Sequence, residues 1–88
     1  MVEKLFKHML EEKEDFYEYM HMYSECTDPV AKGELRKIAE EEMHHYNHLY
    51  DIAFSKADEH NMTMIEKGIY DYATDNYKLM LKMLESPR

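Results

Sequence analysis

Apolar residues recur at helical spacing through almost the whole of this 88-residue chain, and only two short breaks interrupt them. That pattern limits the fold more than any other feature. The first stripe is Leu5, Met9, Phe16, Tyr19, Tyr23 and Cys26; the second is Ala31, Leu35, Ile38, Leu49 and Ile52. The third is Met62, Ile65, Ile69, Tyr72, Leu79 and Met83. Thr27-Asp28-Pro29 forms the first break, with Asp28 as N-cap and Pro29 at the first position of the next helix. His60-Asn61 forms the second, and Thr63 followed by Glu66 reads as a capping box. The spacing predicts helices over residues 3–26, 29–59 and 63–85, with a frayed end at Ser86-Pro87-Arg88. Two glycines and two prolines are too few for a turn-rich β architecture. The expected class is all-α, a single domain, with an antiparallel two-helix hairpin and a third, C-terminal helix.

Composition narrows the partners. Lys and Arg number 11 against 19 Asp and Glu, a formal charge of −8 that repels nucleic acid and anionic lipid and attracts cations. No apolar run approaches the roughly 20 residues that span a bilayer. Charges in Met1–His8 occupy the place of a signal peptide's apolar stretch. A single cysteine, Cys26, cannot close an internal disulfide, so the expectation is a soluble protein of a reducing, cytoplasmic compartment.

Polar residues stand where the stripes should be driest. The first stripe skips Glu12, and the second skips Glu42 and His45. Burying an unpaired carboxylate costs several kcal/mol, so these groups need a compensating partner. Glu12 lies roughly 23 Å back from the first break, and the Glu42–His45 pair about 24 Å beyond it, at 1.5 Å per residue. In an antiparallel hairpin the three share one level. Glu42 and His45 form Glu-x-x-His, the spacing of carboxylate-bridged di-iron and di-manganese bundles. One hairpin supplies half of such a bundle's ligands and two supply all, which points to a homodimer whose two hairpins build one four-helix bundle. The metal-free alternative is a polar seam satisfied by hydrogen bonds that fixes helix register.

These elements resemble the encapsulated ferritins, half-length ferritin-like proteins housed in encapsulin shells. The matching region runs from Glu11 to about Leu49: Glu11-Glu12 with Glu14, Tyr19 one heptad after Glu12, the Thr27-Asp28-Pro29 turn, then Glu41-Glu42 and His45. The resemblance implies a ferroxidase whose di-iron centre forms across a dimer interface, in iron storage or detoxification. Glu12, Glu42 and His45 match the ligands, with Glu42 bridging, Glu12 terminal or chelating and His45 a terminal nitrogen donor. Tyr19 matches a tyrosine near the centre, and Glu11 and Glu14 match acidic residues near the metal's access route. Iron is the implied metal, with manganese the alternative. A ring of dimers, usually a decamer, is the implied assembly, inside an encapsulin nanocompartment. That family's shell-docking C-terminal tail has no counterpart between helix three and Arg88.

Other patterns carry plainer readings. Glu11, Glu14, Asp15 and Glu18 either steer cations or form a solvated acidic face. Glu41, His44, His48 and Asp51 make a further face, read as solvated, with a divalent ion held by His44 and His48 at i, i+4 as the alternative. Eight tyrosines and nine methionines are read as core or subunit interface, with Tyr19 alone a candidate for redox or hydrogen bonding. Helix three has no ligand pattern, and its stripe predicts association beyond two chains. A rubrerythrin-like peroxide scavenger needs the same centre and an electron-donating partner; a metal-free helical interaction module is the reading from another class.

Overall fold

The computed structural model describes residues 1–55 and 60–85 of the chain. Three helices account for nearly all of them: α1 (Val2–Glu25), α2 (Pro29–Phe54) and α3 (Met64–Glu85). No strand occurs among the described residues.

The first break works through backbone geometry. Proline excludes helical backbone at the residue before it, and Asp28 is accordingly extended (φ −79°, ψ 118°). Its carboxylate accepts from the Ala31 N–H at 2.9 Å, while its carbonyl accepts the Lys32 N–H at 2.8 Å. Cys26 is extended too (φ −76°, ψ 131°), so α1 stops at Glu25 rather than at residue 26. At the start of α3 the capping box closes reciprocally: the Glu66 N–H donates to Thr63 Oγ1 and the Thr63 N–H to Glu66 Oε1, each at 3.1 Å. Thr63 is therefore the cap, and the helix proper begins at Met64.

Among the described residues α2 is followed to Phe54, with the Ser55 N–H bonded to the Asp51 carbonyl and Ser55 itself still in helical backbone conformation (φ −59°, ψ −28°). Phe54 is 7% exposed and packs edge-on against Tyr70 of α3, centroids 5.1 Å apart. Residues 56–59, the remainder of the helix expected over 29–59, and the frayed end at 86–88 lie outside the described residues.

α1 and α2 pack along their length as an antiparallel hairpin, and α3 lies against both. Tyr46 donates to the Ala73 carbonyl at 2.7 Å, and Arg36 donates to the Leu84 carbonyl, so α3 runs antiparallel to α2. Tyr50 meets Thr74 Oγ1 at 2.8 Å; that hydroxyl in turn donates to the Tyr70 carbonyl. The core comprises Met9, Phe16, Met20 and Tyr23 of α1, Ala39, Met43, Tyr46 and Phe54 of α2, and Ala73 and Met80 of α3.

The buried side of α2 is thus not the stripe the sequence suggests. Ala31, Leu35, Ile38 and Leu49 are only half-buried, and Ile52 is 56% exposed. A helix with two neighbours turns its core side towards the angle between them, here Ala39, Met43 and Tyr46. The stripe itself is left on the flank away from α3, beside half-buried Leu5, Tyr19 and Cys26 of α1. α3 behaves likewise, burying Ala73, Asn76 and Met80 while Ile65, Tyr72 and Leu79 stay exposed.

Candidate metal centre

Each member of the acid–imidazole trio sits next to a buried anchor. Glu12 follows Met9 by three residues and precedes Phe16 by four, and both of those are fully buried. Glu42 precedes buried Met43, and His45 precedes fully buried Tyr46. Packing on one side of each helix therefore fixes the backbone from which the polar side chains project. Glu12, Glu42 and His45 each offer a ligand atom, and the three atoms lie within 4.8 Å of one another. Bonds of about 2.1 Å to one ion, or to a pair about 3.5–4 Å apart, span such a spread.

The trio lies on the open flank of the hairpin rather than inside it. The Glu12 side chain is 25% exposed and that of His45 is 60% exposed. The sequence expectation of a dry seam within one hairpin is corrected to this extent: in one chain the groups line the rim of the apolar flank, because Glu12 is rotated off the Met9–Phe16–Met20 line that α2 covers. Its level along the hairpin is the one that the residue count gives.

Electrostatics make the trio receptive to positive charge. His45 Nδ1 stands 3.5 Å from Glu12 Oε2. That oxygen is inaccessible to solvent yet has no hydrogen-bond donor in proper geometry among the described residues, an unmet acceptor. Glu42 is pushed up from its ordinary 4.5 to about 7, chiefly by hydrogen bonding to the Glu12 carboxyl. Desolvation and the charges of Glu12 and Asp15 add to the rise, and His45 opposes it. Two carboxyl groups side by side hold a proton between them unless a cation takes its place. Two carboxylate oxygens and an imidazole suit iron, manganese or zinc. Three donors leave any of these with an incomplete coordination sphere.

The remaining candidate residues are placed as follows. Tyr19, half-buried, packs against the core on the same flank two turns from Glu12 and makes no hydrogen bond to the trio among the described residues. Glu11 is exposed and pairs with exposed His8 at 3.6 Å; Glu14 is exposed. Asp15, grouped by sequence with the acidic surface, is close enough to act on Glu42. Glu41, His44, His48 and Asp51 are all exposed and do not converge as the trio does. Sequence reading missed Asn76, 8% exposed on α3, whose Nδ2 is buried without a hydrogen-bond acceptor. Its asparagine identity inside an apolar stripe was the available signal.

Comparison of the chain with protein-family models, with curated proteins and with solved structures finds no match. No helix among the described residues is long and apolar enough to cross a membrane.

Proposed function

We propose that two copies of this chain meet along the open hairpin flank, and that the two trios together bind a pair of Fe²⁺ ions and oxidise them. The observation that carries this reading is the convergence of Glu12, Glu42 and His45 around a buried carboxylate oxygen that accepts no hydrogen bond. The half-buried apolar residues around the trio, Leu5 and Tyr19 on α1 with Ile38 and Leu49 on α2, supply a surface for the second copy. Two trios give four carboxylates and two imidazoles, the ligand complement of carboxylate-bridged bundles.

As substrate, each Fe²⁺ gives up one electron to dioxygen or peroxide. The four carboxylates favour the ferric product through charge, and neutral His45 contributes a nitrogen donor that leaves coordination adaptable. Glu42 must release its proton as a cation binds, so loading is coupled to proton loss. The second nitrogen of His45 needs an outer partner to fix its ring; with the ring 60% exposed in one chain, the facing protomer is the place for it. Within the same reading manganese is the alternative metal. A ring of dimers is the assembled form, and an encapsulin shell the partner.

Anaerobic addition of Fe²⁺ followed by O₂, with absorbance and assembly mass recorded together, tests the proposal. Catalysed oxidation and a metal-dependent rise in mass are expected. Glu42→Ala and His45→Ala should each abolish rapid oxidation while helix content is kept. Wild-type rates in both variants would refute the assignment, and no oxidation by the wild type would leave the metal-free module. Peroxide consumption with a supplied reductant, exceeding oxidation by O₂, would move the reading to a scavenger.

A further inference from the structure

α3 carries an apolar stripe of its own on a different flank of the molecule. Ile65, Tyr72 and Leu79 recur every seven residues and are 68%, 48% and 52% exposed. Gly68 lies beside them, and a methyl group added there would meet nothing within 4 Å. Glycine within a helix costs stability relative to alanine, and nothing in the single chain calls for it here. The stripe continues into an open apolar groove of about 390 Å³ between α1 and α3, walled by Phe6, Leu10 and Ile69.

Alongside the stripe run six exposed charges: Lys67, Asp71, Asp75, Lys78, Lys82 and Glu85. Read from the amino end their signs are plus, minus, minus, plus, plus, minus. Read from the carboxyl end every sign is reversed. Asp71 with Lys82, and Asp75 with Lys78, share a midpoint between residues 76 and 77; Lys67 with Glu85 is centred on residue 76. Tyr72 and Leu79 are centred between 75 and 76, an offset of only about 1.5 Å along the axis.

We infer that α3 pairs antiparallel with α3 of a second copy of this chain, about a two-fold axis near residue 76. In that arrangement every charge of the row faces its opposite, and Tyr72 of each copy lies over Leu79 of the other. A parallel pairing in register would set like charge against like. Lys67 and Asp71, which pair within the chain at 3.8 Å while 48% and 58% exposed, exchange that contact for ones across the axis. Gly68 falls where the last turn of the facing helix crosses, so its missing side chain allows close approach. The contact uses none of Glu12, Glu42 or His45 and stands apart from the metal reading. If both interfaces form, two different two-fold contacts on separate flanks carry association past the dimer.

Charge exchange tests this directly. One variant combines Asp71→Lys with Asp75→Lys, and a second combines Lys78→Asp with Lys82→Asp. By native mass spectrometry and sedimentation, each alone should lose self-association through α3 by at least tenfold, and an equal mixture should restore wild-type mass with one copy of each per contact. Wild-type mass in either variant alone, or a mixture that forms no mixed species, would overturn the inference. Circular dichroism reports whether each variant folds alone; if either does not, Leu79→Ser decides, dissociation supporting the pairing and wild-type mass refuting it. Gly68→Ala should raise helix stability yet weaken association, and association that is unchanged or tighter counts against the pairing. Iron oxidation measured on the same samples separates a failure here from a failure of the proposed activity.

Discussion

Replacing Glu42 with glutamine should stabilise the metal-free protein, and should do so only at neutral and alkaline pH. The neutral amide mimics the protonated carboxyl that the apo site prefers. Glu42 holds its proton up to about pH 7 when folded, against an ordinary 4.5. Between those values the folded state binds more protons than the unfolded state, so stability falls as pH rises through the interval. The gap corresponds to about 3 kcal/mol at full weight, which solvent screening at the open rim reduces to about 1–2 kcal/mol. Urea unfolding of wild type and Glu42→Gln, with chelator present, at pH 5 and at pH 8 measures it. The two proteins should be nearly equal at pH 5. At pH 8 the variant should lead by that amount, or roughly 4–8 °C in Tm per kcal/mol for a domain of this size. An advantage that is the same at both pH values, or a less stable variant at pH 8, would refute the account of the carboxyl pair.

Phe16→Ala removes a side chain with no exposed surface and should cost about 3–5 kcal/mol, a large share of the total stability of a small domain, read as a collapse of the thermal transition. Tyr46→Phe deletes the hydroxyl that reaches the Ala73 carbonyl at 2.7 Å; a loss of about 1 kcal/mol in denaturant unfolding, without change in helix content, is expected.

Local chemistry made the helix ends around Asp28-Pro29 and Thr63–Glu66 legible, because caps and proline act within a few residues. The common level of Glu12, Glu42 and His45 was legible as well, since a tight turn and a fixed rise convert sequence distance into depth. The burial of Phe54 was not: it packs against Tyr70, a residue of another element, and stands outside the stripe that spacing picks out. Nor was the buried side of α2. Ile38 and Leu49 make the stronger sequence stripe, but α3 settles on the side of Tyr46, which turns Ala39, Met43 and Tyr46 inward. Periodicity finds an apolar face without telling whether the same chain or another covers it. Tyr46 could be buried because its hydroxyl meets a helix carbonyl, a partner visible only once α3 is in place.

Arg36 ties the second residue from the end of α3 to the early turns of α2, across 48 positions of sequence. The Tyr46 and Tyr50 bonds to α3 enclose shorter loops of 27 and 24 positions. Each wider loop adds only a small entropic cost once the narrower one has formed. Loop entropy therefore favours closing the Tyr50 and Tyr46 bonds before the Arg36 one, which leaves the guanidinium contact as the expected first to open.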